Sequence, residues 1–100
     1  MLKLEIAASA KTDLRAIASF TESEFGRRQR DAYIDSISAR FQFLLERPMV
    51  GVDRSELGAD LRAIRASAHV IYYIAQGERL LIVRVLHHAQ DAAAAFAIEP

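Results

Sequence analysis

Three consecutive runs of strand-forming residues between positions 61 and 88 constrain the fold of this chain more than any other feature. The runs are Leu61–Arg65, His69–Ala75 and Arg79–His88, and they are rich in isoleucine, valine, leucine and tyrosine. Such residues favour the pleated, half-buried surface of a sheet. Gly77, in the short link between the last two runs, can adopt the positive φ of a tight hairpin turn. The segment therefore predicts a three-stranded antiparallel sheet.

The last of these runs is apolar on both sides. Successive side chains of a strand point to opposite faces, so the run divides into two sets. One set is Leu81, Val83, Val85 and His87, and the other is Leu80, Ile82, Arg84, Leu86 and His88. Because both sets are mainly apolar, we expect the sheet to be covered on both of its faces.

A strand and two helices are predicted before the sheet. Residues 2–6 alternate between apolar and charged, as in a strand with one buried face. Apolar residues then recur at helical spacing from Leu14 to Phe25, and Gly26 ends this helix. A second helix runs from about Arg28 to Arg47, because Pro48 disfavours helical geometry in the residue before it. The short link makes the two helices an antiparallel hairpin that covers one face of the sheet.

Two segments lie outside these elements. Residues 48–60 predict an irregular loop, and residues 92–97 have the alanine content of a short C-terminal helix or tail. The order of elements is then strand, helix, helix and three antiparallel strands, which is an α+β fold with its helices on one face of the sheet. We expect residues 1–100 to form a single domain. The neighbour of the N-terminal strand in the sheet stays unassigned.

Composition argues against several classes of function. Cysteine is absent, which removes disulfide scaffolds and thiol chemistry and favours a cytoplasmic protein. No apolar run is long enough for a signal peptide or a membrane span, so no membrane partner is expected. The 13 basic and 13 acidic residues balance, which argues against direct, sequence-specific DNA binding. The scattered glycines form no phosphate loop, and we expect no cofactor.

The histidines are not spaced for metal binding. His87 and His88 are adjacent, so on a strand they point to opposite faces and cannot jointly hold a metal ion. His69 is interpreted as a strand-end residue that forms local hydrogen bonds. We therefore expect no metal site.

The second face of the sheet is predicted to be an interaction surface. The helical hairpin covers one face, the tail reaches only part of the other, and an exposed apolar face rimmed by arginine more often binds a partner. The alternative is that the loop, the tail and the arginine side chains complete the cover. We assign Leu81, Val83 and Val85 to the core, with the choice of face left open. The predicted contact residues are Arg62, Arg65, Ile71, Tyr73, Leu80, Ile82, Arg84 and Leu86.

RNA cleavage is a second hypothesis for the same region. The reaction needs a base for the 2′-hydroxyl, cations for the charged transition state and an acid for the leaving oxygen. Candidate residues of those types are Arg62, Arg65, Arg84 and His87. The arginines are equally suited to binding an acidic partner chain.

Several short motifs follow one another in an order and spacing that extend over nearly the whole chain. They are the helical segment Ala10–Ile17, the pair Phe25-Gly26, the bend Pro48–Gly51, the strand Ser67–Tyr73, and Ile82–His87 followed by Asp91. Together they resemble the ParE branch of the RelE/ParE superfamily of bacterial type II toxin–antitoxin systems. The last motif is the most specific, although Gln90 stands where the family usually has methionine.

The resemblance implies the same α+β sheet and a ParD-like antitoxin whose C-terminal segment wraps the toxin in a hetero-oligomer. It also implies that the toxin poisons DNA gyrase. The C-terminal segment is linked to toxicity in the family, and the corresponding residues here are His87, His88, Asp91 and Phe96. Because the tail departs from the family pattern, an inactive remnant that only binds antitoxin is a further reading.

The nuclease branch of the superfamily, typified by RelE, carries more basic residues and a tyrosine or histidine near the end of the last strand. Here His87 and His88 occupy roughly that place, but the chain has only two lysines, Lys3 and Lys11, and no tyrosine after the last strand. The resemblance therefore favours a non-enzymatic gyrase inhibitor over a ribosome-dependent mRNA endonuclease.

Overall fold

A mixed five-stranded sheet, with two long helices on one face and a short helix on the other, forms the fold. The computed structural model describes residues 2–97. The elements are β1 (Lys3–Ile6), α1 (Ala8–Phe25), α2 (Arg27–Glu46), β2 (Val52–Asp53), β3 (Leu61–Ala66), β4 (His69–Gln76), β5 (Arg79–His87) and α3 (Ala92–Phe96). The predicted α+β class is confirmed. None of the helices in the described range is both long and apolar enough to span a bilayer.

The N-terminal strand, which the sequence left without a neighbour, pairs in parallel with β5 at one edge of the sheet. Leu4 lies opposite Leu80, and Ile6 lies opposite Ile82. The strands β5, β4, β3 and β2 follow in that order, and each pair of them is antiparallel. Parallel strands need a long connection. The two helices and the strands β2 to β4 form this long connection between β1 and β5. The sheet is mixed because this one pair is parallel and the others are antiparallel.

The loop between α2 and β3 contains a short strand that the sequence did not reveal. β2 has two residues and pairs with β3, with Val52 opposite Ala63. The hydroxyl of Tyr73 donates to the carbonyl of Pro48 (2.9 Å) and accepts from the amide of Gly51 (2.8 Å). Two residues are too few for an alternating pattern, so the position of this strand depends on the tertiary contact with Tyr73.

The face of the sheet beneath α1 and α2 carries the main core. Ile17 of α1 and Phe41 of α2 belong to its buried residues. The sheet contributes Ile71, Tyr73, Leu80, Ile82 and Val85, each no more than 2% exposed. The prediction that Ile71, Tyr73, Leu80 and Ile82 contact a partner was therefore wrong, because these side chains lie beneath the helices.

A β-bulge in β5 explains why the residues predicted for one core do not all lie on the same face of the sheet. Ile82 and Arg84 lie opposite the adjacent residues Tyr73 and Tyr72, so Val83 between them has no partner. One extra residue shifts the alternation by one position from there on. Strict alternation predicts Leu81, Val83 and Val85 together in the core beneath the helices, but only Val85 belongs to it.

The opposite face, called the outer face below, carries a second apolar cluster. Its buried residues are Leu61, Ala63, Tyr72 and Leu86. Leu57 from the loop and Ala92, Ala95 and Phe96 from α3 pack against them. The ring of Phe96 meets that of Tyr72 edge-on, with the centroids 5.1 Å apart. The loop and the tail therefore supply part of the cover for this face.

Candidate interaction face

An open apolar groove remains on the outer face, between the loop before β3 and α3, and its volume is about 360 Å3. We call it the outer groove. Its apolar walls include Leu57, Leu61, Ile74, Val83 and Phe96, and Arg84 also lines it. Apolar walls with a few polar groups at the border suit the side chains of a bound polypeptide.

Arg84 is held in place by the first turns of α1. β1 pairs with β5 only as far as Ile82, so the edge of β5 beyond that point has no strand beside it. Asp13 fills this gap, because its carboxylate accepts from the guanidinium of Arg84 at 2.8 and 2.9 Å and from the amide of Val85 at 2.9 Å. Ser9 donates to the carbonyl of Val83 at 2.9 Å. The hydrogen bonds with Asp13 raise the pKa of Arg84, so this cation is permanent and fixed in position.

The four residues predicted for RNA cleavage do not converge on one face. In the strand register, Arg62 lies opposite Tyr73 on the helix side, and its guanidinium donates to the carbonyl of Gly51 at 2.9 Å. Arg65 is exposed, and it lies opposite Val70 of the outer cluster. Arg84 is bound to Asp13, as described above. No set of base, acid and cations is therefore assembled around a common point by these residues.

Tyr33 and the three histidines form a group that the sequence did not predict. The hydroxyl of Tyr33 lies 2.7 Å from Nδ1 of His69 and also accepts from the amide of Ala68 at 3.0 Å. The ring of His87 lies 5.4 Å from that of His69 and 4.5 Å from that of His88, between centroids. We call Tyr33, His69, His87 and His88 the imidazole cluster. The expectation that His69 bonds only locally was wrong, because its partner is 36 residues away in the chain.

Burial and like charge both lower the pKa of two histidines in this cluster, His69 and His88. Burial lowers the pKa of His69, and the neighbouring His87 and His88 lower it further. Desolvation also lowers the pKa of His88, with smaller contributions from Arg65 and His87. The neutral forms of His69 and His88 are therefore favoured at neutral pH.

The residues predicted as a toxicity tail are divided between two places. His87 and His88 belong to the imidazole cluster, whereas Phe96 covers Tyr72 on the outer face. Asp91 caps the N-terminus of α3, where its carboxylate accepts from the amide of Ala94 at 3.2 Å. Within residues 2–97, no group of three or more histidine or acidic side chains is arranged to hold a metal ion.

Comparisons with known proteins agree with this fold. Residues 4–92 match the family model described as the ParE toxin of the type II toxin–antitoxin system parDE. Toxin ParE1 of Caulobacter vibrioides is 31% identical over 94 residues, which are 94% of this chain and 97% of the relative. Toxin ParE of Escherichia coli is 32% identical over 87 residues, which are 86% of this chain and 84% of the relative.

A solved structure is similar in fold although distant in sequence. A chain from the chromosomal ParDE TA system of P. aeruginosa superposes with a TM-score of 0.76 at 18% identity, covering 87% of this chain and 96% of that one. The family model and the two relatives cover most of the chain, and the resemblance noted in the sequence is thereby confirmed. The chain belongs to the ParE family of toxins of type II toxin–antitoxin systems.

Proposed function

We propose that this protein acts in the cytoplasm as a gyrase inhibitor that a ParD-like antitoxin neutralises in a hetero-oligomer. The match to the ParE toxin family over residues 4–92 carries the proposal, since this range contains both long helices and the strands β2 to β5. Two relatives that share about a third of their residues with this chain are named as ParE toxins. Inhibition of gyrase is the activity that membership of this family implies.

The outer face is the surface that we assign to the antitoxin. It has an apolar groove in its surface, and the predicted contact residues Arg65, Arg84 and Leu86 all lie on this side of the sheet. Leu86 contributes to the floor of the apolar cluster, whereas Arg65 is exposed. The complementary partner is an apolar segment that carries a carboxylate for Arg65. The other predicted contacts, Arg62, Ile71, Tyr73, Leu80 and Ile82, are on the helix side and are no longer part of this assignment.

An inhibitor that acts by binding is better supported than a nuclease. Catalysis of RNA cleavage needs a base, an acid and cations within hydrogen-bonding reach of one phosphodiester. Arg62 and Arg65 lie on opposite faces of β3, and the guanidinium of Arg84 is already bound to Asp13. The candidate catalytic residues are therefore better explained as structural and surface groups.

The proposal is tested by adding the purified full chain to gyrase, ATP and plasmid DNA. We expect supercoiling to stop and cleaved plasmid to accumulate, and we expect prior addition of the antitoxin to prevent both. Phe96→Ala, which alters the proposed toxicity tail, should weaken the inhibition. Phe20→Ala is the matched control, because Phe20 lies on α1 and is 65% exposed.

Unchanged supercoiling and no trapped cleavage would contradict gyrase as the target. Toeprinting on translating ribosomes then tests the nuclease alternative, and codon-specific cuts that disappear in His87→Ala would support it. If induction in a bacterial host leaves growth unaffected, the chain is an inactive remnant that binds the antitoxin alone.

A further inference from the structure

The strand β1 forms one edge of the sheet and has backbone groups that face no other strand. The amides of Lys3 and Ala7 donate to carbonyls of the hairpin formed by β4 and β5, at 2.7 and 2.9 Å. Backbone groups of alternate residues in a strand point to the same side. Those of Leu4 and Ile6 therefore point away from β5, where no strand of the described residues 2–97 lies.

The apolar side chains of β1 are covered only in part. Leu2, Leu4 and Ile6 pack against the main core but stay half-buried, whereas Ile82 on the neighbouring strand is 0% exposed. An open depression of about 460 Å3 lies beside β1 and is lined in part by Leu4 and Ile6. A strand added at this edge would therefore bury apolar surface as well as form backbone hydrogen bonds.

Two opposite charges lie on the other face of the same strand. Lys3 and Glu5 are two residues apart, so their side chains point to one side. The guanidinium of Arg79 holds Glu5 in place, because it donates to the carboxylate at 2.9 and 3.0 Å. Lys3 is exposed and forms no ion pair within the described part of the chain. A lysine on an edge strand normally keeps other strands away, but an acidic residue opposite it reverses this effect.

One antiparallel register between two copies of β1 suits both the backbone and the charges. A two-fold axis at Leu4 places Leu4 opposite Leu4 of the second copy, and Ile6 opposite Leu2, so that the outward backbone groups bond each other. It also places Lys3 opposite Glu5 twice, in the non-hydrogen-bonded positions where side chains lie closest. An axis at Lys3 or at Glu5 would instead place like charges opposite each other.

We propose that two copies of this chain associate through β1, edge to edge, into one continuous sheet that contains the five strands of each. Backbone hydrogen bonds at Leu2, Leu4 and Ile6 and the two pairs of Lys3 with Glu5 hold the copies together. The two-fold axis closes the contact, so it joins two chains and no more. The association rests on β1 and its surroundings alone, whether or not the protein acts on gyrase.

Exchange of charge between the two positions tests the register. Sedimentation equilibrium of the purified full chain should show dimers that increase with concentration. Lys3→Glu and Glu5→Lys each convert both cross-strand contacts from attraction to repulsion, and each should weaken self-association by more than about tenfold. In an equimolar mixture of the two variants every lysine again faces a glutamate. Mixed dimers should then form about as readily as dimers of the unaltered chain, which also shows that both variants are folded.

Arg28→Glu is the matched control, because it makes the same change of charge at an exposed position at the start of α2. Its self-association should stay within about twofold of that of the unaltered chain. A mixture of Arg28→Glu with Glu5→Lys has the same net charges as the first mixture but lacks the complementary edge. It should form far fewer mixed dimers.

Amide hydrogen exchange identifies the strand that pairs. The amides of Leu4 and Ile6 should exchange rapidly in dilute solution and slow by more than about tenfold where dimers predominate. The amide of Glu5 faces β5, so its protection should not depend on concentration through this contact.

Three results overturn the proposal. The first is a chain that stays monomeric up to about 1 mM. The second is a dimer in which Leu4 and Ile6 exchange as rapidly as in the monomer, which would assign the contact to another surface. The third is a mixture of Lys3→Glu with Glu5→Lys that forms no more mixed dimers than the control mixture.

Discussion

The hydroxyl of Tyr73 fixes the path of the chain between α2 and β3. It bonds the carbonyl of Pro48 and the amide of Gly51, although the ring itself is fully buried. Its ring atoms Cε1 and Cζ are only 2.7 and 2.9 Å from the position that a Cβ on Gly51 would take. Gly51 is therefore required by close approach and not by its backbone conformation. This contact is what places the edge strand β2.

We predict that Gly51→Ala lowers the free energy of unfolding by about 1–3 kcal/mol, because the added methyl overlaps the ring of Tyr73. Tyr73→Phe should cost about 1–3 kcal/mol by leaving the amide of Gly51 without its acceptor. The double variant should lose less free energy of unfolding than the two single variants together. The reason is that the methyl at position 51 no longer overlaps the Tyr73 hydroxyl once that group is removed. Urea denaturation of the four chains measures this coupling.

Gly58→Ala is the control for this cycle, because the nearest atom to its added methyl, Cδ2 of Leu61, is 4.0 Å away. It should change the free energy of unfolding by less than about 0.5 kcal/mol. A cost for Gly51→Ala no larger than that of Gly58→Ala would show that the loop yields to the methyl group.

At the scale of elements, the sequence predicts those parts whose signal is periodic. The two helices and the strands β3 to β5 have runs of 5 to 20 residues with a clear pattern, and all of them are present. The bulge at Val83 and the two-residue strand β2 have no such signal, because the bulge interrupts the alternation and β2 is too short to show one. The same holds for the bond between Tyr33 and His69, whose residues lie far apart in the chain. Several contact residues were predicted on the wrong face of the sheet because both faces are apolar, so the sequence does not show which face lies beneath the helices.

The attachment of α1 to β5 gives the second prediction. Asp13→Ala leaves the guanidinium of Arg84 and the amide of Val85 without their shared acceptor, in a place where the Asp13 side chain is only 13% exposed. We expect the free energy of unfolding to fall by about 2–3 kcal/mol. Asp35→Ala, at an exposed position of α2, is the matched control. It should lower the free energy of unfolding by less than about 0.5 kcal/mol. Equal effects of the two variants in urea denaturation would mean that the Asp13 bonds contribute no net stability.

The docking of α3 gives the third prediction. A helix of five residues is not stable in water unless it packs against the rest of the protein. Phe96→Ala removes the ring that contacts Tyr72, so amide exchange across residues 92–97 should reach the rate of an unstructured chain. Exchange in β4 and β5 should stay within a factor of about three of the unaltered chain. Retained protection of α3 would show that its alanines are sufficient for docking.

The charges of the whole molecule predict a loss of stability in two stages as the pH falls. Burial lowers the pKa of His69 from its ordinary value of 6.5, so the unfolded chain binds more protons below that pH and the folded state loses stability. Hydrogen bonds to arginine lower the pKa of Glu5 and of Glu56 from 4.5, and this contribution disappears below that pH. Because the two carboxylates are exposed, 1 M salt should weaken the second stage and leave the first. Denaturation at a series of pH values measures both stages, and a single stage near pH 4 would contradict the role of His69.

The absence of cysteine allows the assignment of the two faces to be tested on the whole molecule with single thiols. Ala59 is exposed and lines the outer groove, whereas Ala39 is exposed on α2, which lies against the other face. We predict that a saturating ParD-like antitoxin slows maleimide modification of Ala59→Cys by more than about tenfold, because a bound segment must leave before the reagent can reach the thiol. Modification of Ala39→Cys should change by less than about twofold if the antitoxin occupies the outer face alone. Protection of position 39 with free reaction at position 59 would transfer the antitoxin to the helices, and the outer groove would then have no part in neutralisation.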